Sequence, residues 1–166
     1  MQKEHQEKYN INSVLKILKP NCKIIELDHI TEGAACTTLL AKKFINTNNP
    51  LIIANSDQYI KWDSIKSMYN YNQKKIDGSI LTFEAIHPKW SYAKTDKNNF
   101  VTEVAEKKVI SKNATVGVYY WKKGSDYVNC AETMIKKNIR VNNEFYVCPV
   151  YNEAIGELSL IHISEP

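Results

Sequence analysis

At 166 residues, the chain is sized for one domain with a buried core. Hydrophobic residues make up 43% and charged ones 24%, an ordinary globular balance, and the net charge is a modest +4. No apolar run approaches a membrane span, the N-terminus MQKEHQEKYN is too polar for a signal peptide, and the scattered lysine doublets form no basic stripe with stacking aromatics, which argues against a nucleic-acid groove.

Residues 1–10 are polar and predict no element. Asn12 is a cap for a short helix over 13–19, which Pro20 ends. Weak alternation over 23–27 predicts a strand. In TEGAAC, 31–36, a glycine opens a helix that runs to about residue 45, with Leu39, Leu40, Lys43 and Phe44 on a mostly apolar face. After a turn at 46–50 comes the run Leu51, Ile52, Ile53, Ala54. It is too short for a helix and β-branched at its centre, and reads as a buried strand of an α/β sheet. Asp63 caps a helix over 64–74 with Ile65, Met68 and Tyr69 inward. Asp77-Gly78 marks a turn, 79–86 an apolar strand, and 88–94 with 100–105 a hairpin that turns at 96–99. A strand follows at 114–121, then a helix from Ser125 to about residue 138 with Val128, Ala131 and Ile135 inward. A short strand at 145–148 leads through Pro149 into a helix over 150–158. Strands and helices alternate around an antiparallel excursion. The expected fold class is therefore α/β, with a mixed, mostly parallel, Rossmann-like sheet.

The apolar run 51–54 stops abruptly at Asn55, Ser56, Asp57 and Gln58. In open α/β sheets ligands bind just outside the carboxyl ends of strands. A carboxylate there suits a hard cation such as Mg²⁺ beside phosphate oxygens; taken alone, Asp57 reads equally as a turn cap. Cys22, Cys36, Cys130 and Cys148 show no C-x-x-C spacing and read as free thiols of a reducing cytoplasm. His5, His29, His87 and His162 are unclustered, which disfavours a histidine metal site or a Ser-His triad.

From Thr31 to about Glu157 the order of motifs resembles the sugar-1-phosphate nucleotidyltransferases (nucleotide-sugar pyrophosphorylases), and within them a branch found in bacterial capsule and surface-polysaccharide loci. TEGAAC, with Gly33, Ala34 and Ala35, matches the loop that holds the nucleotide base through backbone groups, where a missing side chain lets the base approach. Asp57 in NSDQ falls on the family's Mg²⁺-binding aspartate, with Asn55 beside it on the nucleotide side. Tyr92 in WSYAKTD falls in the sugar-proximal segment. Glu106-Lys107, ending FVTEVAEKK, match a pair in which the glutamate binds sugar hydroxyls and the lysine the sugar phosphate. Gly117 in ATVGVYY has a counterpart that lies against the sugar. Without the resemblance, Glu106, Lys107 and Lys108 also read as an exposed strand end.

The resemblance implies a fold of the nucleotidyltransferase or glycosyltransferase-A type and Mg²⁺ as cofactor. Its partners would be a nucleoside triphosphate and a phosphorylated small-molecule acceptor, with Asp57 and Lys107 catalytic and pyrophosphate released. It implies a cytoplasmic protein, no nucleic-acid partner and no membrane span, and leaves a homo-oligomer open. Two departures stand out. The family's first strand and Gly-rich loop have no match, since the chain has five glycines and no G-x-G. Residues 1–157 are thus expected to be a partial domain lacking them and inactive by itself. The family's late second metal ligand also has no match: Pro149 stands near its place, with Glu144 or Asn152 as substitutes. The ending LSLIHISEP, 158–166, is similar to a translated sequencing-adapter stretch and is expected to be a non-native tail. Two other readings stay open: a glycosyltransferase using a nucleotide-sugar donor, which the single acid of NSDQ disfavours against a paired D-x-D, and a non-catalytic fragment.

Overall fold

The structure, a computed structural model, describes residues 2–156 and 160–164. At the N-terminus, α1 (Lys3–Tyr9) and α2 (Ile11–Leu18) bury none of their residues. The stretch 23–27 is not a strand; its one backbone pairing is an isolated bridge from Leu27 to Gln2. The helix expected over 34–45 is two, α3 (Ala34–Leu39) and α4 (Lys42–Ile45). The hydroxyls of Thr37 and Thr38 donate to the carbonyls of Gly33 (3.2 Å) and Ala35 (2.8 Å), the back-bonding that weakens a helix at such residues. Next come β1 (Leu51–Ala54), α5 (Ser64–Gln73), β2 (Gly78–Glu84), the hairpin β3 (Ser91–Thr95) and β4 (Val101–Glu106), and β5 (Asn113–Trp121). The remaining elements are α6 (Gly124–Lys136), α7 (Val150–Ile155) and β6 (Ile161–Ser164).

The six strands form one sheet in the order β4-β3-β5-β2-β6, with β1 also paired to β5. Among these pairs β2–β6 is parallel, while β1–β5, β2–β5, β3–β4 and β3–β5 are all antiparallel. The expectation of a mostly parallel sheet is therefore overturned: the sheet is mixed and mostly antiparallel. The cause is neighbour order. β1 and β2, joined through α5, do run the same way, as strand–helix alternation implies. They are not adjacent, because β5 lies between them and opposes both. Nor is β1 buried on both faces: Leu51 and Ile53 are half-buried, and Ile52 is 39% exposed.

One core lies between the sheet and α6 and α7. Trp121 stacks on Tyr151 with centroids 4.4 Å apart, and Tyr127 meets Trp121 edge-on at 5.5 Å. The Tyr151 hydroxyl donates to the carbonyls of Tyr120 (2.8 Å) and Ser79 (3.1 Å), so its burial leaves no bare polar atom. From α6, Val128, Ala131 and Met134 complete this core. α5 is capped as expected, Asp63 accepting from the Lys66 N–H at 2.9 Å. Its inward face differs: Ile65 and Tyr69 are exposed, while Tyr71 is buried against Tyr120 with Met68 beside it. Residues 145–148 form a loop rather than a strand. Of the tail set aside above, 161–164 form β6 against β2, with Ile161 buried; residues 157–159 and 165–166, which include the end of the helix expected over 150–158, lie outside the described residues. Among the described residues no helix is long and apolar enough to cross a membrane.

Candidate functional site

β2 pairs along one edge of β5 from Asn113 to Trp121. The other edge is shared: β1 takes Val118 to Trp121, and β3 takes Ala114. Residues 115–117 are left at a fork between the carboxyl end of β1 and the start of β3. Backbone carbonyls at such a gap need partners. The Asn55 N–H donates to the Gly117 carbonyl at 2.9 Å, and the Gln58 side-chain amide donates to the Val116 carbonyl. The polar residues that end β1 so abruptly thus close the fork. Gly117 has φ +76°, and a Cβ there would lie 2.9 Å from the Gln58 amide nitrogen, so its bare backbone is what admits these side chains.

A cleft of about 320 Å³ opens at this fork. Asn55 and Gln58 line it from the end of β1, Thr115, Val116 and Gly117 from β5, and Ser91 from the start of β3. Glu106 and Lys107 line it from the end of β4, and Ala34 and residues 146–148 also contribute to the lining. The hairpin register sets Ser91 directly across from Glu106, which brings the two side chains together on one face. The Ser91 hydroxyl donates to Glu106 Oε2, and each residue is only 9% exposed. Burial holds the Glu106 carboxyl above the usual carboxylate range; the Ser91 hydrogen bond and the Lys107 charge pull the other way without offsetting it. Lys107 is exposed and left-handed at φ 53°. Its ammonium donates to the Tyr146 hydroxyl at 2.5 Å and lies 4.7 Å from that ring's centroid. That contact with Tyr146 raises its pKa. Beneath, the Tyr119 hydroxyl pairs with Thr115 at 3.1 Å, and burial pushes both the Tyr119 phenol and the Cys148 thiol up.

The TEGAAC loop reaches the cleft through a backbone clamp. Phe145 donates its N–H to the Glu32 carbonyl (2.8 Å), and Ala35 donates to the Phe145 carbonyl (2.9 Å). Gly33 sits inside the clamp at φ +131°, where a Cβ would lie 2.5 Å from both the nitrogen and the oxygen of Phe145. What approaches this glycine in the structure is the protein's own backbone. Arg140 braces the clamp with an ion pair to Glu32 at 2.6 Å and its guanidinium 4.0 Å over the Phe145 ring.

Of the residues singled out in the sequence, Ala34, Asn55, Glu106, Lys107 and Gly117 meet in this cleft. Ala35 is fully buried beneath it, and Gly33 is held in the clamp. Asp57 lies on the exposed bend between Asn55 and Gln58. Tyr92 does not line the cleft; it is fully buried, and its hydroxyl donates to the His87 carbonyl at 2.7 Å. Asn152, a substitute for a second metal ligand in the sequence, spends its amide on β4. It accepts from the Val104 N–H and donates to the Val104 carbonyl, both at 2.9 Å, as a neighbouring strand would. Sequence reasoning missed Ser91, Tyr146 and Gln58. Counting the hairpin register back from its turn would have set Trp90 against Glu106, because a bulge between Lys94 and Thr95 shifts the pairing by one; nothing in the sequence marks Ser91 or Tyr146.

Among the described residues no group of three or more His, Cys, Asp or Glu could hold a metal ion. Mg²⁺ commonly takes one or two carboxylates and fills its shell with phosphate oxygens and water. The hard oxygens of Asp57, exposed next to the cleft, fit a Mg²⁺ ion that arrives on a phosphate ligand; they do not make a site built wholly from protein. A hollow of about 390 Å³ between α5 and β6 is also present, but its one lining carboxylate, Asp63, is committed to capping α5.

These described residues have the α/β fold of the nucleotidyltransferases, with a mixed, mostly antiparallel sheet. The chain is similar to a nucleoside-diphosphate-sugar pyrophosphorylase from Vibrio cholerae RC9, with a TM-score of 0.80 and 21% identity over 99% of this chain and 70% of that one. It is also similar to a candidate glucose-1-phosphate thymidylyltransferase from Bacillus anthracis in complex with a sucrose, with a TM-score of 0.72 and 15% identity over 99% and 65% of the two chains. A UDP-glucose pyrophosphorylase complexed with UDP-glucose gives 0.63 and 13% over 95% and 64%. The chain thus spans about two thirds of the length of these structures. At such identities the likeness defines the fold alone. No protein-family profile and no curated protein matches the sequence.

Proposed function

We propose that the cleft receives a sugar phosphate or similar phosphorylated acceptor. The protein would transfer a nucleoside monophosphate to it from a nucleoside triphosphate, with release of pyrophosphate. The observation that carries this reading is the end of β4, where a buried carboxylate, Glu106, stands next to an exposed ammonium, Lys107, on one wall of the cleft. A carboxylate accepts hydrogen bonds from sugar hydroxyls, and an ammonium offsets the charge of a phosphate that must approach another one. In this reading Ala34 and Asn55 take the nucleotide side, with Gly33 and Ala35 fixing the loop, while Gly117 lies on the sugar side and Tyr92, buried outside the cleft, supports the segment next to it. Asp57 would hold Mg²⁺ brought in by the triphosphate, the ion neutralising phosphate charge. An acceptor phosphate oxygen would attack the α-phosphorus in line, and Lys107 would lower the repulsion between the two anions. Catalysis would rest on positioning and electrostatics. The setting implied is synthesis of bacterial surface polysaccharide in the cytoplasm.

The test is binding at the named residues. In an isotope-labelled chain titrated with glucose 1-phosphate, the amide signals of Glu106, Lys107 and Gly117 are expected to move. Lys107→Ala should weaken that ligand about tenfold, one charge-assisted contact, while nucleoside triphosphate affinity stays within about threefold. Saturating sugar phosphate that leaves these three signals in place would refute the reading. Loss of triphosphate affinity instead would reverse the two sub-sites.

A further inference from the structure

We infer that Ser91 is the positioning residue of the cleft: its hydroxyl ties one oxygen of Glu106 and so presents the other to a hydroxyl-bearing ligand. This rests on the acceptor reading above and deepens it. Glu106 is a flexible side chain, yet it is 9% exposed at the end of its strand, so its direction must be set by neighbours. From β3, Ser91 donates to Oε2; no hydrogen bond to Oε1 is formed among the described residues. From β5, the Tyr119 hydroxyl is paired with Thr115. Following β4, the Lys107 ammonium is held by Tyr146. From the loop before α7 come Glu144, which repels, and the Cys148 thiol, which burial keeps neutral. Among these facing groups Ser91 is the donor that bonds the carboxylate, and its place directly opposite Glu106 is fixed by backbone register rather than by a mobile loop.

A role of this kind has a titration signature. The Ser91 hydrogen bond favours the charged form of Glu106, so removing it must make the carboxyl harder to ionise. Sugar hydroxyls need the charged form as acceptor. Affinity for a sugar phosphate should therefore fall as pH drops through the Glu106 midpoint, and that midpoint should lie higher in Ser91→Ala.

The experiment follows the Glu106 side-chain carboxyl by carbon-13 NMR in the unaltered chain, Ser91→Ala and Ser91→Thr, with glucose 1-phosphate affinity measured by calorimetry across pH. Ser91→Ala is expected to raise the midpoint and, through the lost orientation of the carboxylate, to weaken glucose 1-phosphate about tenfold at a pH where Glu106 is charged in both chains. Ser91→Thr should restore both, and nucleoside triphosphate affinity should not move. In a Glu106→Gln background, Ser91→Ala should cost no further acceptor affinity, which covers the case in which the single variant folds poorly. An unchanged Glu106 midpoint in Ser91→Ala, or an undiminished effect of Ser91→Ala in the Glu106→Gln background, would overturn the inference. Failure of the unaltered chain to bind glucose 1-phosphate would overturn the acceptor reading and the ligand half of this inference together, and it is seen before any variant is made.

Discussion

Gly33 offers the sharpest test of what holds the cleft together. In Gly33→Ala the new methyl meets two obstacles. The first is backbone strain: φ +131° with ψ 174° is a conformation essentially reserved for glycine, costing a side chain about 1–3 kcal/mol. The second is contact. The Cβ would lie 2.5 Å from the nitrogen and the oxygen of Phe145, and backbone atoms cannot swing aside as a side chain can. Relief requires opening the clamp, which forfeits the hydrogen bonds from Phe145 to Glu32 and from Ala35 to Phe145, about 1 kcal/mol net each. The sum is about 3–5 kcal/mol. For a domain of this size that lowers Tm by about 6–20 °C at 2–4 °C per kcal/mol.

Calorimetry without ligand and amide hydrogen exchange read the two parts of this effect. The Ala35 and Phe145 amides should be protected in the unaltered chain and should exchange freely in Gly33→Ala, even if the clamp opens without global unfolding. The alternative assigns the missing side chain to the approach of a nucleotide base. On that account ligand-free stability would not change and only nucleotide affinity would suffer. A ligand-free Tm within about 2 °C of the unaltered chain, well under the shift worked above, with both amides still protected, would refute the clamp argument.

Glu106→Gln separates stability from binding. Burial raises the folded-state pKa of this carboxyl, so its contribution to stability is full below the unfolded pKa and is lost as pH rises through the folded one. Gln should therefore raise Tm at pH 7.5 and lose that advantage near pH 4, while weakening glucose 1-phosphate; a Tm difference that does not depend on pH would count against the buried-charge argument. Asp57→Asn should leave Tm within about 2 °C, as for an exposed residue, yet remove most of the gain in nucleoside triphosphate affinity that Mg²⁺ provides. An unchanged Mg²⁺ effect in calorimetry would take Asp57 out of the metal's shell.

Elements with strong local signals were legible in the sequence. The β-branched run of β1, the Asp63 cap, the Asp96–Asn99 turn and Pro149 before α7 all stand where propensity and turn chemistry put them. What depended on neighbours was not legible. Alternation of strand and helix told the common direction of β1 and β2 but could not show β5 lying between them, so the sheet's mostly antiparallel character was missed. The inward face of α5 was misread because periodicity alone offered Ile65 and Tyr69, whereas the ring of Tyr120 selects Tyr71 at a centroid distance of 4.7 Å. In the cleft, the residues marked by abrupt changes of character, Asn55 after an apolar run and Glu106-Lys107 at a strand end, were found. Ser91 and Tyr146 carry no such mark, because each matters only through a partner distant in sequence.

The position of the cleft follows from unequal strand lengths. β5 has nine residues, and β2 covers one edge of it. On the other edge β1, with four residues, reaches only from Trp121 to Val118, and β3 joins at Ala114. The three positions between lie beyond the ends of both strands, and a sheet does not leave carbonyls bare. The Asn55 N–H bonds the Gly117 carbonyl, one backbone step past the end of β1, and the Gln58 side chain bonds the Val116 carbonyl. Ser91, Glu106, Lys107 and Asn55 all line the cleft of about 320 Å³ at this place. The polar residues that stop β1 thus both satisfy the carbonyls at the gap and form part of the cleft lining.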